Sequence, residues 1–235
     1  MRPASLGFLV LGVSLLSAPL PVVGQDAGDT ATTPAAHFPR APDLRRLVVL
    51  GDALRTRVLA EAILADEEAF QALPGAARLE VEALQNALHR TVDAANMDDL
   101  TFAVAETGTA CAACHETTGL TGSSASPALM APEPEEAEDR HTTYLASASR
   151  LLWHGLSTPS DQAWRAGTEA LVGSDGFPVP TARHVPEEVN AEAAAELERL
   201  ATQAVPAVEP RTRADLAARI WATCADCHVP AGVGR

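Results

Sequence analysis

The stretch RTRADLAARIWATCADCH (residues 211–228) decides the fold, because it is predicted to be a helix and ends in C-x-x-C-H. Cys224, Cys227 and His228 carry this pattern, and only the seven residues Val229–Arg235 follow it. Seven residues are too few to enclose a group bound by the motif. We therefore expect the walls of any binding pocket to come from chain that precedes the motif.

A second C-x-x-C-H lies earlier, at Cys111–His115. We call Cys111–His115 motif 1 and Cys224–His228 motif 2. Each motif has a glycine four residues after its histidine, and each is preceded by a histidine and a glycine 14 positions apart. These pairs are His37 with Gly51 and His141 with Gly155. The shared skeleton indicates an internal duplication.

Each copy carries the pattern of four helices. In the first copy two apolar stripes recur at helical spacing, one over Leu54, Val58, Leu59, Ala62 and Ile63 and one over Leu79, Ala83, Leu84, Ala87 and Leu88. Asp52 is a predicted N-cap, and abundant alanine favours helix over strand. We predict an all-α fold of two tandem four-helix-bundle-like units, each with its C-x-x-C-H at the end of its last helix. These units are residues 37–119 (half 1) and 139–235 (half 2), joined by a Gly-, Ser-, Pro- and acid-rich linker over 120–138.

The chemistry of the motifs follows from their spacing. Two thiols three positions apart can each form a thioether with a haem vinyl group, and the next histidine can ligate the iron. A four-cysteine zinc site usually leaves shorter gaps between its pairs, and a redox C-x-x-C belongs to a βαβ context that is not visible. Disulfides are the remaining alternative. We predict two covalently attached haem c groups, with Cys111, Cys114, Cys224 and Cys227 as attachment residues and His115 and His228 as iron ligands.

The N-terminus predicts export. Arg2 precedes the apolar run Leu6–Leu16, and Pro19 and Pro21 end that run before a small residue at the cleavage position. We interpret residues 1–24 as a signal peptide and residues 25–36 as a flexible leader. The protein is expected to be periplasmic or otherwise exported, without a stable membrane anchor.

The charge is strongly acidic. The chain has 31 Asp and Glu against 17 basic residues, all of them arginine, for a formal net charge of -14. Nucleic-acid binding needs basic surface and is not expected. The charge suits a redox partner protein with a basic docking surface.

Bundle topology predicts the second iron ligands. In an up-down-up-down bundle the start of the first helix and the end of the fourth lie at the same end. This places His37 near motif 1 and His141 near motif 2 as distal ligands, with His184 as the runner-up for motif 2. His154 is expected at the far end of its helix from motif 2, and His89 lies in mid-helix.

These features resemble a family. A four-helix bundle with C-x-x-C-H near the end of its last helix resembles the class II cytochromes c, the cytochrome c′ group. The whole chain is similar to tandem, di-haem versions of this family found among exported bacterial proteins. Those proteins share a motif that the stretch RLLWHGLSTPSDQAW (residues 150–164) resembles. Each half is shorter than a cytochrome c′, and that family often leaves the sixth iron site empty. The resemblance implies haem c, a bundle fold and either electron transfer or gas binding.

We therefore expect a di-haem electron-transfer protein, not an enzyme, whose iron cycles between Fe(III) and Fe(II). The alternative is a haem-based sensor or scavenger of NO or CO. That alternative needs an open or displaceable sixth site.

Overall fold

The fold was analysed in a computed structural model that describes residues 38–119, 137–172 and 187–231. Over these ranges the chain is helical and forms no strand, which confirms the all-α prediction. A single 3-10 turn, Gly75–Ala77, precedes α4. The α-helices are α1 Ala41–Val49, α2 Ala53–Leu64, α3 Glu67–Gln71, α4 Arg78–Asp93, α5 Met97–Thr117, α6 Ala137–Ser157, α7 Asp161–Val172, α8 Glu187–Ala204 and α9 Pro210–Ala231.

Side-chain caps fix the helix starts. The Asp52 carboxylate accepts a hydrogen bond from the Arg55 backbone N–H at 3.0 Å, which confirms the predicted N-cap of α2. Asn96 caps α5 in the same way through the N–H of Asp99. These caps satisfy N–H groups that have no partner within the helix.

The predicted stripes of half 1 are only partly buried. Leu59, Ile63, Leu84, Ala87 and Leu88 lie in the core, as expected. Leu54, Val58 and Leu79 are instead exposed, at 71%, 56% and 68%. The prediction was wrong for these three. For Leu54 and Val58 the reason is that α2 packs mainly on α1 and α4, so only a narrow strip of its surface is covered.

The two halves pack against each other. α5 of half 1 lies along α9 of half 2, and residues 36–235 form one compact unit with a shared hydrophobic core. The pair is antiparallel. The start of α5 lies near the end of α9, since the Asp98 charge acts with burial to raise the pKa of Asp226. The end of α5 meets the start of α9 at a small cavity lined by Ala112, Ala113, Pro210 and Arg213.

Antiparallel packing places the motifs at opposite ends of the α5–α9 pair. Motif 1 occupies the last turns of α5, and motif 2 occupies the last turns of α9. A helix of the other half packs on each of these two central helices. α1 packs on α9, and α6 packs on α5.

The N-terminal segments lie outside the described residues, as does the predicted linker up to residue 136. The boundaries of the signal peptide, the leader and the two units therefore stay predictions. Among the described helices, none combines the length and the apolar character that crossing a bilayer requires.

Candidate functional site

Motif 2 is held at the end of α9. Burial raises the pKa of the Cys224 thiol to about 12, and it also raises the pKa of Cys227. Both thiols are therefore largely protonated at neutral pH. Within the described ranges none of the four motif cysteines is in a disulfide.

The His228 ring has a defined orientation. Its Nδ1 lies 2.6 Å from the backbone carbonyl oxygen of Val49, at the last residue of α1. A carbonyl can only accept, so Nδ1 carries the proton and donates it. In the neutral ring Nε2 then keeps its lone pair. A donor bond from one ring nitrogen to a carbonyl is the usual arrangement for a histidine whose other nitrogen binds a metal.

The turn after α1 brings this carbonyl to motif 2. Gly51 has φ +72°, in the left-handed region that favours glycine. A Cβ added at Gly51 would lie 2.3 Å from Cγ2 of Val229, the residue directly after His228. Gly51 thus lies in the turn between α1 and α2, and this turn lies close to motif 2.

Motif 1 has a similar setting at the end of α5. Burial raises the pKa of Cys111 to about 12, while burial and the Glu80 charge raise that of Cys114. Glu80 also accepts a hydrogen bond from the Thr117 hydroxyl at 2.9 Å, which ties the start of α4 to the end of α5.

The His115 ring differs from that of His228. Its Nδ1 is buried and has no hydrogen-bond partner among the described residues. Gly108, Cys111 and His115 are spaced i, i+3 and i+7, so they share one stripe of α5. A Cβ at Gly108 would approach Leu156 at 3.2 Å and the Trp153 ring at 3.5 Å, so the last turns of α6 cover this stripe.

His154 lies in these last turns of α6. Its Nε2 is buried and unpartnered within the part of the chain that the structure describes. Burial lowers the pKa of His154, and the neighbouring His115 lowers it further. The prediction that His154 lies away from motif 2 is consistent with its place beside motif 1 at the other end of the α5–α9 pair. Its closeness to motif 1 was not foreseen.

The side chains of the three predicted distal ligands lie outside what the structure describes. His37 and His184 lie outside those residues. His141 lies in α6, four residues after its first residue Ala137, and only its backbone is described. His89 is exposed on α4. The assignments of His37, His141 and His184 therefore stay predictions.

The cavity beside motif 1 is separate from the thiols. Its α5 lining residues Thr109, Ala112, Ala113 and Glu116 lie on the face opposite Cys111 and His115. Over the described ranges, no group of three or more His, Cys, Asp or Glu side chains is arranged to hold a metal ion. Each motif offers one histidine from its own helix, and among the described side chains His154 adds a second at motif 1.

Comparisons with known proteins give no relative. No protein-family model matches the chain, and no curated protein or solved structure shows a significant match.

Proposed function

We propose that the chain is a di-haem c-type cytochrome that transfers electrons, resembling a tandem class II cytochrome c. Cys111 and Cys114 would hold one haem and Cys224 and Cys227 the other, with His115 and His228 as the proximal ligands. When bound, haem supplies an iron that accepts and returns one electron.

The observation that carries this proposal is the bond between His228 Nδ1 and the Val49 carbonyl. It fixes the tautomer that leaves Nε2 unprotonated, on the residue directly after a C-x-x-C pair. The backbone bond orients the ring through Nδ1, and in the neutral ring Nε2 then keeps the lone pair that could bind a metal.

The surroundings of the thiols fit the same group. All four cysteines have raised pKa values with burial as the first cause, so their sulfur atoms lie in apolar, not electropositive, settings. Reactive and redox-active cysteines generally have lowered pKa values. The thiols are therefore better suited to stable thioether links than to disulfide exchange.

The remaining parts of the proposal rest on the sequence. An exported protein with a formal net charge of -14 would meet a redox partner through that partner's basic surface.

The test is the covalent haem content of the full chain, matured in an exporting host. We expect two haems per chain that remain after denaturation and acid-acetone extraction, together with reversible oxidation and reduction. Haem that is extractable, or absent, would contradict the proposal.

Ligand binding separates electron transfer from the gas-binding alternative. Irons with two protein ligands are expected to bind CO slowly or not at all in the ferrous state. Fast, stoichiometric CO binding at both haems would favour the gas-binding protein instead.

A further inference from the structure

The strongest feature outside the predicted site is His154. It lies on the last turns of α6, which belong to half 2, yet these turns cover motif 1 of half 1. Its Nε2 is buried with no hydrogen-bond partner among the described residues. A buried ring nitrogen without a partner is unfavourable, so such a group calls for a partner beyond the described residues, such as a bound group.

His115 lies beside His154. The end of α6 that carries His154 covers the stripe of α5 that carries His115, since a Cβ at Gly108 would approach Leu156 at 3.2 Å and the Trp153 ring at 3.5 Å. His115 also lowers the pKa of His154, which requires that the two rings lie close together. His154 therefore presents a buried, unpartnered Nε2 next to His115 and its C-x-x-C pair, which makes it a candidate second ligand for an iron held there.

The repeat shows how the described surroundings of the two motifs differ. In the shared skeleton Gly51 corresponds to Gly155, so the residue before each glycine is Leu50 in half 1 and His154 in half 2. Leu50 carries no donor atom for a metal. The equivalent turn at motif 2 instead contributes the carbonyl of Val49 to His228.

Helix length explains the difference in hydrogen bonding. α1 ends at Val49, so the carbonyl of that residue has no partner within its helix. α6 continues through Ser157, so the corresponding carbonyl of Trp153 lies within the i to i−4 hydrogen-bond ladder. The end of α6 therefore offers motif 1 a histidine side chain in place of a free carbonyl.

We infer that His154, and not His37, is the second axial ligand of the iron at motif 1, supplied by the opposite half of the chain. This inference rests on the proposed function. It makes the first haem site depend on both halves, since its proximal ligand comes from α5 and its distal ligand from α6.

The test uses the full holoprotein with both haems. Covalent haem is counted first, and the spin state of the ferric irons is then measured by electron paramagnetic resonance and absorption. In His154→Ala we expect two haems per chain and conversion of one of them from low spin to high spin. The matched control His89→Ala removes an exposed histidine of α4 and is expected to leave both irons unchanged.

A second variant covers the case in which His154→Ala does not fold. His154→Met keeps a side chain of similar size that can ligate iron, and it should keep the iron low spin while raising the potential of one haem. Unchanged potentials in this variant, or an unchanged spin state in His154→Ala, would overturn the inference while leaving the proposed function intact. Loss of the low-spin signal in His37→Ala alone would assign the ligand to His37. A wild-type chain with no covalent haem would overturn both.

Discussion

The two C-x-x-C-H motifs occupy equivalent places but have different neighbours. Each lies on the last turns of a central helix, and each is covered by the end of the first helix of the other half. At motif 2 the end of α1 gives His228 a carbonyl at 2.6 Å. At motif 1 the end of α6 gives His115 no hydrogen bond among the described residues, and it brings His154 instead.

The difference shows that packing and polar contacts diverge separately within a repeat. At motif 1 the small residue Gly108 allows α6 to approach α5 closely, whereas Trp221 stands at the corresponding position of α9. The polar contacts depend on where one helix stops. α6 is longer than α1, so the carbonyl that corresponds to that of Val49 is used for a hydrogen bond within α6 itself.

Removing either cysteine pair should have the largest effect. We expect C111A/C114A and C224A/C227A each to lose one covalent haem and to keep the other, because the motifs lie at opposite ends of the α5–α9 pair. Asp98 of α5 lies near Asp226 of motif 2, and Cys111 of motif 1 follows Asp98 by 13 residues. At a rise of 1.5 Å per residue the motifs are therefore about 20 Å apart along α5. Pyridine haemochrome assays of the two purified variants check this. Loss of both haems in either variant would show that the motifs are not independent sites.

Replacing Gly155 or Gly51 with alanine should lower the free energy of unfolding by different amounts. A Cβ at Gly155 would lie 2.7 Å from the backbone N of Trp164, which cannot move aside, so Gly155→Ala should destabilise by about 3 kcal/mol. At Gly51 the close atom is the side chain of Val229, which can rotate. The main penalty at Gly51 is then the left-handed backbone conformation, so Gly51→Ala should lower the free energy of unfolding by about 1–2 kcal/mol.

Denaturant unfolding of the holoprotein measures both values. Gly75→Ala is the matched control, because a Cβ there meets no atom within 4 Å. A Gly51→Ala variant that is less stable than Gly155→Ala would contradict the assigned causes.

The hydrogen bond of His228 should also separate the two potentials. A donor bond from Nδ1 to a carbonyl makes the imidazole more basic, and a more basic ligand stabilises Fe(III). We therefore expect the haem at motif 2 to have the lower potential. Potentiometric titration of the two cysteine-pair variants assigns each value to its motif. Equal potentials would mean that the Val49 carbonyl does not act on the iron.

The sequence predicted helices well, because helix formation depends on local pattern. α9, Pro210–Ala231, contains the predicted segment RTRADLAARIWATCADCH, and Asp52 caps α2 as expected. The roles of the motif residues stay predictions. The contacts between the halves could not be predicted, because they join helices that are far apart in the sequence. The sequence does hold one signal for the position of His154, since it stands directly before the glycine that aligns with Gly51.

The smallest expected effect concerns the thiols of the two motifs. The pKa of Cys114 is raised first by burial and then by the charge of Glu80, whereas for Cys227 the cause is burial. Glu80→Gln removes the charge and keeps an oxygen that can accept the Thr117 hydroxyl bond. The thiolate of Cys114 is then less disfavoured, so its pKa should fall and its alkylation near pH 8 should become faster.

The increase should stay below about fivefold, since a single partly exposed charge contributes at most about 1 kcal/mol. Peptide-resolved mass spectrometry of the haem-free chain after timed iodoacetamide treatment measures each cysteine separately. Cys227 is the internal control, and its rate should not change. An equal acceleration of Cys114 and Cys227 would point to loosening of the whole chain, whereas acceleration of Cys114 alone would show that the start of α4 sets the electrostatics of motif 1.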